Sequence, residues 1–387
     1  MAGCAVWSRK FLAALLLLFL LGCGIVAWRE RATLLSWIYI YNLAHASSES
    51  SRERWAGRVA KLGETALPGL FDCLRQTDAG ICANAGRALE LMSRQGDRDG
   101  ACTADLALRF AREFDRFSPA GQKQALDLAA DWFSAGRCHF TDSSQVTLIS
   151  ACGSLLAGAA TVNEENVRAS ALQLCDLLLS RAGGEHAGKP LDSALKLAAA
   201  ALHSATADNR LRAVRLSLYP GMADLREQVA TLLSDESTEI RRAALIAISR
   251  DRDAIHDDQL LPCLHDPDPE VRRLCEQALI ARGLRREYLE LGRLLFDPRP
   301  TQRLQVLDRL RESTELDPGL WLRRLSHDPS PSVRVAAMRA MTQQSFVDLS
   351  DRIEQIARED SAPTVRQLAQ YYLNCPRRDA SSRPARK

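Results

Sequence analysis

Aromatic side chains are scarce, at 6% of the 387 residues, which argues against a β-sandwich. Net charge is lacking as well, because 51 Lys and Arg stand against 48 Asp and Glu. Much of the small basic excess sits in PRRDASSRPARK at 376–387, and without it the body stands at about −1. A body this balanced lacks the basic field that nucleic-acid binding leaves, so no nucleic acid is expected as a partner. The 376–387 segment reads as a basic disordered tail, with phospholipid headgroups or an acidic partner as the sharper alternative.

Catalytic signatures are missing too. The sequence holds no G-x-S-x-G, no H-E-x-x-H, no CxxC and no zinc-ligand spacing. Gly183, Gly188 and Lys189 have the spacing of a phosphate-binding loop, but Pro190 replaces the Ser or Thr that would hold Mg²⁺, and LQLCDLLLS before them is helical rather than strand-like. His256, Asp257, Asp258, Cys263, His265 and Asp266 form the densest set of metal-type ligands. However, His327-Asp328-Pro329 repeats His265-Asp266-Pro267 in another part of the chain, which points to a recurring local role rather than one metal centre. No cofactor, metal or catalytic residue is expected. What the chain does have is Ala, Leu and Arg in quantity and 46% hydrophobic residues, a composition that favours helices.

One apolar run stands out. FLAALLLLFLLGCGIVAW at 11–28 is uncharged, follows Arg9 and Lys10, and is long enough to span a bilayer. The preferred reading is an uncleaved transmembrane or signal-anchor helix at 11–28 behind a short basic segment at 1–10. The positive-inside balance leans toward export of the bulk, although Arg29 and Arg31 flank the other end. Leu20-Leu21-Gly22-Cys23 resembles a lipoprotein box, which makes Cys23 a candidate lipidation site, and Ala44-His45-Ala46 is a third processing signal. Trp37, Tyr39 and Tyr41 favour an interfacial position, so 29–51 reads as a juxtamembrane linker or interfacial helix, or else as the first helix of the body. Nine of the 11 cysteines lie in the body, an odd number. Core packing explains positions such as Cys175 and Cys275, while in an exported body Cys138 with Cys152 and Cys263 with Cys275 are candidate bridges.

The body is organised by repetition. Asp235, Asp266, Asp297, Asp328 and Asp360 are spaced 31, 31, 31 and 32 residues apart, and each is followed six residues later by an arginine: Arg241, Arg272, Arg303, Arg334 and Arg366. The third residue after the aspartate is Pro269, Pro300, Pro331 or Pro363 in four units and Thr238 in the other. Proline is tolerated in the first turn of a helix, so each marks a helix start. The preceding Pro267, Pro298 and Pro329 help to end the helix before it. Apolar residues then follow at helical spacing, as in Ile240, Ala244, Ile248 and in Val333, Ala337, Met341. Each unit is therefore a helix pair that buries its apolar face only by stacking on its neighbours.

This pattern of aspartate, proline-bearing turn, Val-Arg and Ala-Leu resembles HEAT repeats, in particular the short variety of bacterial proteins and phycobilisome lyase-like chains. The resemblance implies an all-α solenoid in which the five aspartates accept, and the five arginines donate, in a structural ladder between neighbouring repeats. It is clear over about 220–375 and decays upstream, where 69–92 aligns but Gln76 and Cys82 replace the aspartate and arginine; Asn166-Val167-Arg168-Ala169 and Arg210-Leu211-Arg212-Ala213 are partial echoes. The expected organisation is divergent helical repeats at 52–218 and regular repeats at 219–375. The expected function is a membrane-tethered scaffold in a bacterial cytoplasmic membrane, single-pass, with its bulk in the periplasm and another protein on its concave face. A lyase-like or chaperone-like factor acting on a bound protein is the alternative.

Overall fold

The computed structural model describes residues 31–94, 100–134, 142–181, 188–249, 251, 255–312, 316–343 and 349–374, and all regular elements among them are helical. The 1–10 segment, the 11–28 run with Cys23, Cys138 and the 376–387 tail lie outside the described residues. Among the described residues no helix is long and apolar enough to cross a membrane. The chain divides into two compact units, Met1–Val229 and Ala230–Lys387.

In the first unit, helices alternate in pairs: Arg31–Ala44 with Glu49–Ala60, Leu67–Leu74 with Ala79–Arg94, Ala101–Glu113 with Pro119–Phe133, Asp142–Ala159 with Glu165–Arg181, and Gly188–Ala201 with Ala207–Leu216. Leading helices stack on leading helices, as Ala101–Glu113 does on Asp142–Ala159, and following helices on following ones, as Pro119–Phe133 does on Glu165–Arg181. The stretch 100–160, which carries no repeat motif, is thus built on the same plan. Within 29–51, Arg31–Ala44 is the leading helix of the first pair. It buries Leu43 while Leu34, Trp37, Ile38 and Tyr41 remain exposed at helical spacing.

Rings and one glycine hold the centre of this unit. Phe110 stacks on Trp132 at 5.9 Å between centroids and meets Phe71 and Phe117 at 5.7 and 6.1 Å, so the few aromatics are concentrated where they bury most surface. Trp132 donates its indole N–H to the Ser93 hydroxyl at 3.3 Å. A Cβ at Gly121 would lie 1.9 Å from the Leu74 carbonyl oxygen, so only glycine lets Pro119–Phe133 approach the end of Leu67–Leu74 this closely.

The second unit shows why its repeat has the sequence it has. Its following helices begin at Thr238, Pro269, Pro300, Pro331 and Pro363, the third residue after each aspartate. Leading elements are short: Leu261–His265 is a 3₁₀ segment, and Arg286–Leu295, Pro318–Leu325 and Ser350–Glu359 span ten, eight and ten residues. Ala244, Cys275, Ala337 and Ala369 are fully buried, and their small side chains let adjacent helices close on one another. The boundary between the units falls at 229/230, later than the 218/219 change in sequence pattern. The reason is that the leading segment of the first regular repeat is broken into short pieces, Ala223–Leu225, Arg226–Val229 and Ala230–Ser234.

Candidate functional site

Each repeat aspartate first builds its own turn. A carboxylate oxygen of Asp235, Asp266, Asp297, Asp328 and Asp360 accepts the backbone N–H two residues later, at 2.8, 2.8, 2.8, 2.7 and 2.8 Å. This is the geometry by which Asp initiates a turn without left-handed backbone. Each arginine then closes the same turn through the Nη1 group. Arg241, Arg272, Arg303 and Arg334 donate to the carbonyls six and five residues before them, with the longer-range bond at 2.8, 2.7, 2.8 and 2.9 Å, and Arg366 reaches Asp360 O.

Of these five arginines, three go on to the turn aspartate of the next repeat. Arg241 forks onto Asp266 at 2.7 and 2.9 Å, Arg303 onto Asp328 at 2.7 and 2.9 Å, and Arg334 onto Asp360 at 2.8 and 2.7 Å. These are buried bidentate pairs, the strong form of the arginine–carboxylate contact. The aspartate bonds raise the guanidinium pKa values of Arg241, Arg303 and Arg334. Burial alone would raise the Asp360 carboxyl, but the bonds from Arg334 and the Ala362 N–H leave it below the usual carboxylate range. The pair implied between Arg272 and Asp297 is not made. Asp297 is taken by Arg299, two residues on, whose Nε and Nη2 donate at 3.1 and 3.2 Å and lower its pKa. An arginine so close in sequence captures the carboxylate before the one from the preceding repeat can.

In the first unit the same turns are closed by other groups. Arg210 donates to the Ser204 and Ala205 carbonyls at 3.0 and 3.1 Å, six and five residues back, as the second-unit arginines do. Cys82 donates its thiol to Gln76 O at 3.2 Å, again six residues back, with Ser118 adding 2.5 Å to the same oxygen. Glu165 accepts from Ser204, Asn209 and Thr206 at 2.5, 2.7 and 3.1 Å; these bonds, that of Ser204 foremost, bring its pKa down to about 2. Arg168 joins this group through Glu165 at 2.5 Å and Asn163 at 3.1 Å. The echoes of the motif pointed to Arg168, Arg210 and Cys82, whereas Glu165, Ser204 and Asn209 carried no signal in a search for Asp and Arg.

The metal-type residues are dispersed onto separate partners. Asp257 pairs with Arg282 at 2.9 Å, Asp258 with Arg324, Asp266 with Arg241, and His265 Nε2 lies 2.5 Å from the Arg293 carbonyl. His327 Nδ1 lies 3.1 Å from Arg352. Among the described residues no group of three or more such side chains is placed to hold a metal ion. Of the phosphate-loop lookalike, Gly188, Lys189 and Pro190 open the helix Gly188–Ala201, and the residues before them lie outside the described set.

An open groove lies on the following helices of the second unit. It has a volume of about 580 Å³ and runs between Pro300–Glu312 and Pro331–Gln343, floored by Leu307, Val335, Ala336 and Ala340 and flanked by Arg311 and Arg339. Arg311 is held by Asp308 at 3.2 Å, whereas Arg339 makes no ion pair among the described residues. The sequence reading placed partner binding on such a face without naming these residues, because their positions between the buried stripe and the turn are not fixed by the repeat motif.

No protein-family model and no curated protein matches the sequence. Among solved structures the chain is similar to importin beta, crystallised in a polyethylene glycol condition, with a TM-score of 0.50 and 13% identity over 89% of this chain and 53% of that one. The chain thus spans about half the length of that importin beta chain. It is also similar to the Escherichia coli protein YibA (TM-score 0.37, 16% identity, 78% of this chain and 99% of that one). An engineered protein gives 0.29 and 15% over 86% and 97%. At these identities only the fold is shared, and that fold is a HEAT-like α-solenoid.

Proposed function

We propose that the protein is a membrane-tethered scaffold whose second unit holds another protein in the groove between Pro300–Glu312 and Pro331–Gln343. The observation that carries this reading is the groove's make-up: an aliphatic floor beside the Arg339 guanidinium, which makes no ion pair among the described residues. Apolar side chains of a partner would lose water against Leu307 and Val335, and an acidic group would meet Arg339. The complementary segment is therefore an acidic stretch that also carries apolar anchors. No step of the proposal requires chemistry on the bound chain, which favours a scaffold over a lyase-like or chaperone-like enzyme.

The tether is the uncharged run at 11–28, with lipidation at Cys23 as the alternative attachment. A bacterial cytoplasmic membrane with the solenoid in the periplasm is the setting that the basic leading residues and the short-repeat resemblance support. The test places a photo-crosslinking amino acid at Val335 of the full chain in its native membrane. A discrete partner adduct is expected, and Arg339→Glu should lower its yield about tenfold by reversing the charge beside the floor. An undiminished adduct in Arg339→Glu would remove the groove from the interface.

A further inference from the structure

In every repeat of the second unit, the residue three before the turn aspartate and the residue nine after it are apolar. The pairs are Leu232 and Ala244, Cys263 and Cys275, Leu294 and Val306, Leu325 and Ala337, and Ala357 and Ala369. The leading segment and the following helix of a repeat fold back on each other at the turn, and these positions serve its core. In one repeat alone both positions are cysteine. There Cys275 donates its thiol to the Leu260 carbonyl at 3.1 Å, directly before the 3₁₀ segment Leu261–His265, so its sulfur lies against the short segment that carries Cys263.

We infer that Cys263 and Cys275 form a reversible disulfide within their repeat, made by exchange with a small or protein-borne disulfide. The inference does not depend on what the groove binds. Cys275 is wholly enclosed, while Cys263, 6% exposed, lines an open groove with Asp235, Gln259 and His265, so an oxidant reaches Cys263 first. Interaction with the Cys275 thiol, with Arg241 nearby, favours the thiolate at Cys263, while the same interaction and burial push the Cys275 thiol up. Exchange then proceeds in two steps. The Cys263 thiolate attacks a disulfide R–S–S–R, forming a Cys263–S–S–R bond and releasing one thiolate, which takes a proton. Cys275 passes its proton to solvent or to the departing group, attacks the Cys263 sulfur and expels the second R–S⁻. The protein loses two electrons and two protons, and two molecules of R–SH carry them away.

The repeat itself supplies variants that fit. Cys263→Leu installs the residue found at 232, 294 and 325, and Cys275→Ala the residue found at 244, 337 and 369. The experiment exposes the folded full-length protein to oxidised glutathione, denatures it in N-ethylmaleimide and maps its peptides by mass. The expected product is a dipeptide joined through Cys263 and Cys275, lost on treatment with dithiothreitol. Oxidation should also raise the unfolding midpoint by about 5 °C, a rise absent in either variant. Recovery of both residues as maleimide adducts overturns the inference. So does a glutathione adduct that stays on Cys263 while Cys275 is alkylated.

Discussion

The two units solve one problem with different chemistry. In each, the end of a leading helix leaves carbonyl groups that must be satisfied where the chain turns into the following helix. The second unit answers with the same device five times, an aspartate for the turn and an arginine that reaches back over it. The first unit repeats that reach once, at Arg210, and elsewhere uses a thiol at Cys82, a hydroxyl at Ser118, an amide at Asn209 and a carboxylate at Glu165. The turn therefore demands a donor or acceptor at a fixed place and is indifferent to which residue supplies it. Buried bidentate ion pairs between repeats appear where the supplier is arginine facing a free carboxylate, whereas the first unit links its repeats through single hydrogen bonds such as those onto Glu165 and Gln76.

That contrast can be broken or sharpened by mutation, with hydrogen exchange reporting each unit in the intact chain. Arg303→Ala should have the largest effect, about 3–5 kcal/mol, because it strands the Asp328 carboxylate with its side chain only 3% exposed. Loss of protection should centre on 300–343, and a loss below 1 kcal/mol would mean that the buried pair contributes no more than a surface one. In the first unit the sensitive point is steric. Gly121→Ala should cost about 3 kcal/mol, since the backbone of Pro119–Phe133 must retreat from Leu74. An unchanged unfolding transition would show that this packing relaxes freely.

Smaller effects test the exceptions. Arg272→Ala removes bonds to its own turn only and should cost about 1 kcal/mol. A cost equal to that of Arg303→Ala would reinstate the pairing with Asp297. The smallest effect is acid dependence. Glu165 has its folded pKa depressed from 4.5 to about 2, so its contribution is complete above the unfolded value and fades as pH falls from 4.5 toward 2. Glu165→Gln should flatten that part of the first unit's acid melt and leave the second unit's unchanged. Asp360, depressed in the same direction, should give the second unit its own loss on acidification.

How much of this was legible follows from the same chemistry. Asp, Pro and Arg at fixed offsets are a strong signal because each has a separate physical duty, and the following helices start where Pro269, Pro300, Pro331 and Pro363 put them. Between 100 and 160 the helices were visible only as stripes, since Gln122 and Ser118 do the work of the motif without its residue types. Trp37, Tyr39 and Tyr41 suggested a membrane interface or else a first body helix; the helix Arg31–Ala44 exposes Trp37 and Tyr41 and buries Leu43. The failure at Asp297 was written in the sequence as Arg299, but competition between a near and a distant arginine for one carboxylate is decided by geometry. The groove at Val335 and Arg339 carried no signal at all, because binding surfaces lie outside the constraints that keep the repeat folded.

The gap between Arg272 and Asp297 has a mechanical meaning. Buried forks act as stiff struts along the turn edge, and a row of struts with one missing flexes at that joint first. The Arg241–Asp266 strut lies on one side of the joint and the Arg303–Asp328 and Arg334–Asp360 struts on the other. A small rotation there would strain His265 on the Arg293 carbonyl and the half-exposed Arg293–Glu276 pair, but none of the three buried forks.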